Sequence, residues 1–83
     1  MSEKSLEDIR KLFLIFKKAI EAERAAQDTY LQARELSDDN ALKEIFNGMY
    51  QDEVGHEQIL IERYNKLRQE SALEDRSIEH DRE

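Results

Sequence analysis

The chain contains no cysteine, no proline and no tryptophan, and only two of its 83 residues are glycine. Without cysteine it forms no disulfide, and thiolate-ligated centres of the rubredoxin or iron–sulfur type are excluded on this chain. Proline and glycine mark most turns between strands, so their scarcity disfavours a fold rich in β-strands. The missing residue types therefore favour long helices.

Long apolar runs and an excess of positive charge are also missing. The longest apolar run, Leu12–Phe16, has five residues, whereas a helix needs about 20 to span a bilayer. The N-terminus is polar and acidic, which is atypical of a signal peptide. The net charge of −7 argues against nucleic acid and anionic membranes, because both prefer a basic partner. We expect a cytoplasmic protein with no nucleic-acid or membrane partner.

Charged residues of both signs make up 40% of the chain, and apolar residues recur every three or four positions, which predicts long solvated helices. Ser5 is expected to cap helix 1, and Asp8 supplies the acidic member of a capping pattern. Helix 1 should end near Leu36 or Ser37. Its core-facing stripe, which includes two polar residues, comprises Ile9, Phe13, Phe16, Ile20, Glu23, Gln27 and Tyr30.

A cluster of turn residues, Ser37–Asn40, separates helix 1 from helix 2. Helix 2 is expected to run from Asn40 to about Glu70. Gly48 and Gly55 share one of its faces, either as tolerated glycines or as positions where a partner helix approaches closely. The core-facing stripe of helix 2 comprises Leu42, Ile45, Met49, Glu53, His56, Leu60, Tyr64 and Leu67.

These patterns predict an all-α fold in which residues 1–70 form an antiparallel two-helix hairpin. Residues 71–83 are expected to form a charged tail or a short third helix, because Ser71–Glu74 repeats the capping pattern. Two helices alone cannot cover each other's apolar stripes on every side, so the hairpin should associate with further copies of itself.

Four apolar residues are left over once one face of each helix is assigned to the hairpin. They are Leu14 and Ile15 on helix 1, and Ile59 and Ile61 on helix 2. A monomer would expose them to solvent. They predict a second contact between subunits, in addition to the contact that pairs two hairpins.

The polar residues within the two stripes form the candidate site. Glu53 and His56, spaced as Glu-x-x-His, point the same way on helix 2. Glu23 lies fifteen residues before the turn at Asp38 and Glu53 fifteen residues after it, so both should lie roughly 22 Å from the turn. Buried carboxylates are paired or bind a metal, so the three residues predict half of a carboxylate-bridged di-metal site. Alternatively, His56 bonds a carboxylate within a buried polar layer that fixes helix register.

The neighbouring polar residues receive weaker assignments. Glu21 and Glu57 are expected on the solvent face, and either would take the ligand role if the helical register differed. Tyr30 is either a core aromatic residue or a hydroxyl donor to a ligating carboxylate. Gln27 is either such a supporting donor or a buried hydrogen-bonding group. His80 stands in the charged tail and is expected to be solvated.

With these residues in view, the chain resembles the ferritin-like superfamily, in its rubrerythrin-like branch. Ala19–Glu23 followed by Tyr30 is similar to the first-helix pattern of that branch. Ala41–Phe46 leading to Glu53-x-x-His56 is similar to its second-helix pattern. The resemblance covers about residues 6 to 68. It implies a ferritin-like four-helix bundle built around a di-iron site.

Ordinary members of that branch carry four helices and two half-sites in one chain, whereas this chain has one half-site. It is therefore most similar to the encapsulated ferritins, in which two subunits join their half-sites and rings of such dimers oxidise iron inside an encapsulin shell. The resemblance implies that Glu23, Glu53 and His56 are ferroxidase ligands, with two irons per dimer and Glu53 as the bridging carboxylate. Ile78–Glu83 differs from the small apolar shell-targeting peptide of that group.

Two other functions fit the same residues. The chain could be a non-catalytic module that holds or delivers a metal. It could also be a structural module for helical-bundle oligomerisation, with Glu23 and His56 as a pair that sets the register.

Overall fold

The computed structural model describes residues 5–71 of the chain, and this range contains two helices and no strand. Helix α1 comprises Leu6–Leu36 and helix α2 comprises Asn40–Ser71. The two pack along each other as an antiparallel hairpin, each roughly 46 to 48 Å long at about 1.5 Å per residue. The predicted all-α hairpin is confirmed, whereas the predicted tail or third helix lies outside the described residues.

Hydrogen bonds from side chains fix the helix ends close to the predicted positions. The Ser5 hydroxyl accepts a hydrogen bond from the backbone N–H of Asp8 at 3.1 Å, as the capping pattern predicts. Ser37, which is buried, ends α1 and donates its hydroxyl to a carbonyl of the last turn. The Asp39 carboxylate accepts from the N–H of Ala41 at 3.0 Å and so caps α2. The connection between the helices is therefore short and well defined.

The apolar core of the hairpin lies at the end away from the turn. Ile61 and Tyr64 are fully buried there, together with Phe13 and Ile20. The Phe13 and Phe16 rings meet the Tyr64 ring edge to face, with centroids 5.5 and 6.1 Å away. Such aromatic contacts contribute about 0.5–1.5 kcal/mol beyond the area they bury.

A second, smaller contact joins the helices near the turn. The rings of Tyr30 and Phe46 stack with their centroids 6.5 Å apart. Arg34 donates to the side-chain oxygen of Asn47 at 2.7 Å. The middle of the hairpin therefore lies between two aromatic contacts, one at each end.

The predicted stripe is correct for α1 but only partly correct for α2, where Tyr64 is the one predicted residue that is buried. On α1, the buried residues are Phe13, Ile20 and Gln27, all of them predicted. On α2, Leu42, Ile45 and Met49 are 40, 57 and 39% exposed, and the buried residues are Glu57, Ile61 and Tyr64. Helix α2 carries two adjacent apolar rows. The row that packs on α1 includes Phe46, Ile61 and Tyr64, and its aromatic rings bury the most area.

Of the four apolar residues predicted to lie outside the hairpin contact, three are exposed and one is buried. Leu14, Ile15 and Ile59 are 58–60% exposed, as predicted, whereas Ile61 is buried inside the hairpin.

A Cβ atom added at Gly48 or Gly55 would meet nothing within 4 Å. No helix of the hairpin therefore approaches these glycines closely. Neither described helix combines the length and apolarity needed to cross a membrane.

Candidate metal centre

The three predicted ligand residues come together in the middle of the hairpin. Glu23 projects from α1, and Glu53 and His56 project from successive turns of α2. The His56 Nδ1 atom lies 3.7 Å from Oε2 of Glu23 and 3.7 Å from Oε2 of Glu53. One potential ligand atom from each residue lies within 4.8 Å of those of the other two. A single metal ion can therefore contact all three side chains.

The cluster lies at the margin of the helix–helix contact and not in its dry centre, where the stripe had placed it. The Glu23 and Glu53 side chains keep 22 and 21% of their accessible surface, and His56 keeps 56%. The row of α2 that carries the two ligands also carries Ile45 and Met49, which are exposed. The site therefore opens toward the uncovered apolar face of α2.

The Glu23 carboxylate has an unsatisfied oxygen. Its Oε2 atom is buried and has no hydrogen-bond partner among the described residues. The imidazole nitrogen at 3.7 Å is too distant for a hydrogen bond. A buried acceptor without a donor costs about 1–3 kcal/mol, and more when it is charged. A cation bound between the three side chains would satisfy this oxygen.

The donor set suits a divalent metal of intermediate hardness. Carboxylate oxygens are hard ligands and imidazole nitrogen is borderline, a combination that iron, manganese and zinc accept. Three side chains leave coordination positions open for a second carboxylate, water or another subunit. The residues present therefore fit a single metal ion.

Glu57 departs from the prediction, because it is buried and not on the solvent face. It is 4% exposed. Its Oε2 atom accepts a hydrogen bond from Arg24 Nε at 3.0 Å, and its Oε1 atom accepts from Gln27 Nε2 at 2.5 Å. The same amide nitrogen lies 3.5 Å from the backbone carbonyl of Glu53. The ion pair and the amide remove the cost of burying this carboxylate.

Gln27 is a buried hydrogen-bonding group, one of the two roles that the sequence leaves open, because its amide donates to the Glu57 carboxylate and to the backbone carbonyl of Glu53. Distance from the turn gives no signal for this pairing, because Glu57 lies 19 residues after Asp38 whereas Arg24 and Gln27 lie 14 and 11 residues before it. Glu21 is exposed, as predicted. Tyr30 stacks on Phe46 as a core aromatic residue, and His80 lies outside the described residues.

Comparison with known proteins gives no match: no family model matches the chain, and neither a curated protein nor a solved structure does. The geometry of the three ligands and of the network beside them is therefore the basis for assigning a function.

Proposed function

We propose that the chain is a ferroxidase of iron storage or detoxification, whose active form pairs two hairpins into a ferritin-like four-helix bundle. Two copies of Glu23, Glu53 and His56 then face each other and hold two ferrous ions. The observation that carries the proposal is the convergence of these three side chains around a buried, unsatisfied carboxylate oxygen. The resemblance to the rubrerythrin-like branch supports iron as the metal.

Iron is the substrate of the proposed reaction. Two ferrous ions give up one electron each, and the two electrons reduce one O2 to hydrogen peroxide with two protons taken from solvent. The carboxylates of Glu23 and Glu53 favour the ferric product, because their negative charge stabilises the higher metal charge. The His56 imidazole must be neutral to act as a ligand. Ferric iron then leaves the site.

The exposed apolar row of α2 supports the pairing of two chains. Leu42, Ile45 and Met49 lie on the same side of α2 as Glu53 and His56, and all three are exposed in the single hairpin. A second copy packed against this row would cover it and would bring its own ligands to the open side of the site. Rings of such dimers inside an encapsulin shell are the extension that the resemblance suggests.

The test is an anaerobic titration of the full chain with Fe(II), followed by addition of O2. We expect about two irons bound per dimer, and a near-ultraviolet absorbance rise that requires both protein and oxygen. Iron that binds but oxidises no faster than in buffer would favour the non-catalytic metal-binding alternative. A chain that binds no iron, manganese or zinc would contradict the metal site itself.

A further inference from the structure

We propose that Arg24, Gln27 and Glu57, named here the polar clamp, are positioning residues that set the separation of the Glu23 and Glu53 carboxylates. The inference rests on the proposed metal site, because the clamp acts through the ligands of that site. The three residues were not among the predicted ligands. Arg24 and Glu57 adjoin Glu23 and His56 in the sequence, and Gln27 lies one helical turn from Glu23.

The clamp fixes both the rotation and the axial position of α1 against α2. Glu57 uses both carboxylate oxygens, one for Arg24 and one for Gln27. These two donors stand one turn apart on α1, so the carboxylate bridges a full turn of the facing helix. Since Glu57 is 4% exposed, water cannot replace a donor that moves away. A shift of either helix would leave a buried charge unpaired, which is strongly unfavourable.

Each member of the clamp is tied to a ligand by the helical backbone. Arg24 follows Glu23, and Glu57 follows His56. Gln27 lies one turn beyond Glu23, and its amide also approaches the backbone carbonyl of Glu53 at 3.5 Å. Because a helix is rigid over one turn, fixing these three residues fixes the backbone positions from which the ligand side chains start.

The metal site needs other residues to fix α1 against α2, because its own side chains do not hold the two helices together. Glu23 and Glu53 carry like charges and repel each other when no cation lies between them. The buried apolar residues of the hairpin, such as Ile20 and Ile61, pack without a directional preference. Apolar contacts alone tolerate a small slide between helices, whereas a satisfied buried polar network selects one arrangement.

The experiment uses a pair of reciprocal substitutions in the full chain, with Co(II) alone as the probe. Gln27→Glu places two carboxylates in contact, Glu57→Gln removes the partner of Arg24, and the double variant exchanges the two groups at unchanged net charge. Co(II) affinity and the visible absorption of bound Co(II), which reports ligand geometry, are measured for each. Far-ultraviolet circular dichroism and thermal unfolding are recorded alongside.

We expect each single variant to bind Co(II) about 10–100-fold more weakly, as is typical when groups that support metal ligands are lost. Its visible spectrum should change, and the double variant should recover most of both effects. A purely electrostatic influence would act differently, since the added charge of Gln27→Glu would strengthen binding and the lost charge of Glu57→Gln would weaken it. Opposite shifts of this kind would overturn the clamp.

Two further variants keep the test decisive if a buried substitution prevents folding. Arg24 keeps 29% of its side-chain surface, so the Arg24→Lys variant should fold. Lysine keeps the positive charge but lacks the guanidinium donor. We therefore expect this variant to bind Co(II) more weakly. Glu21→Gln, at an exposed position, removes one charge away from the clamp and should leave the spectrum unchanged.

The outcomes separate the clamp from the metal site. If the parent protein binds Co(II) and the variants lose only thermal stability, with unchanged affinity and spectrum, the network is merely structural and the inference is wrong. If the parent protein itself binds no Co(II), the proposed metal site is wrong, and the positioning role is wrong with it.

Discussion

At the scale of single residues, Glu23, Glu53 and His56 differ in how much they contribute to folding and to metal binding. His56 keeps 56% of its side-chain surface, so its contacts with the two carboxylates contribute little to stability. The carboxylates themselves repel each other in the absence of metal. Removing a ligand should therefore cost metal binding and little stability.

We expect Glu23→Ala, Glu53→Ala and His56→Ala each to lose bound iron and most Fe(II) oxidation, while the helical content is retained. Metal analysis after gel filtration, oxidation kinetics and circular dichroism measure the three quantities. Glu21→Ala is the control, because Glu21 is exposed. Glu57→Ala is unsuitable as a control, since that residue is buried in the polar clamp. Variants that unfold while Glu21→Ala does not would indicate a register-setting role.

The sequence was sufficient to predict that Glu23, Glu53 and His56 lie close together, but not which residues lie beside them. Helical periodicity and distance from the turn placed Glu23 near Glu53 and His56, because both quantities are local. Glu57 was expected in solvent, since a charged residue outside the apolar stripe is usually exposed. Its burial depends on partners 30 and 33 residues away, and single-sequence periodicity carries no information on such pairs.

At the scale of the helices, the important difference from prediction is which row of α2 packs on α1. The start and end of each helix followed from capping and turn residues, which act within four positions of the chain. The choice between two adjacent apolar rows depends on how side chains fit across the interface. Ile61, which the predicted stripe leaves out, is fully buried together with the predicted Tyr64, and no local pattern indicates the burial of Ile61.

A matched pair of substitutions tests the assignment of these rows. Ile61 is fully buried and Ile59 is 58% exposed, although only one residue separates them. We expect Ile61→Ala to lower the free energy of unfolding by about 2–5 kcal/mol, because it leaves a cavity in the core. Ile59→Ala should leave the hairpin intact and weaken association between subunits. Chemical denaturation at fixed protein concentration and sedimentation give the two readings, and a reversed order would refute the assignment.

Gly48 provides a second test on α2. A Cβ atom at this position meets nothing within 4 Å in the hairpin, and alanine favours the helix by roughly 1 kcal/mol over glycine. We therefore expect Gly48→Ala to raise the free energy of unfolding by about that amount. A decrease measured together with weaker association would mean that a partner helix packs closely against this position.

At the scale of the whole molecule, the hairpin leaves large apolar side chains uncovered on both helices. Leu14, Ile15, Ile45 and Ile59 are 57–60% exposed, and we expect contacts with further subunits to cover these large apolar side chains. A folded monomer of 9.9 kDa is therefore not the expected species in solution.

We expect light scattering to show at least a dimer, and Fe(II) to shift the distribution toward larger species. Each hairpin supplies half of the proposed ligands, so metal binds the associated form more tightly and favours it by mass action. The measurement is made without oxygen, at protein concentrations low enough to dissociate the apo form. A cooperatively folded monomer unaffected by iron would contradict both the pairing and the shared site, whereas His56→Ala should associate without responding to iron.

The placement of the aromatic core also has a consequence for the kinetics of folding. Tyr30 and Phe46 are 16 residues apart in the chain, whereas Phe13 and Tyr64 are 51 apart. Closing the longer loop costs about 1 kcal/mol more in chain entropy, so contacts near the turn should form first and the Tyr64 core last. Substitutions at Tyr64 should then mainly accelerate unfolding, while substitutions at Phe46 should slow folding. The best-packed end of the hairpin would thus govern how long the native state survives, and the weaker end how fast it forms.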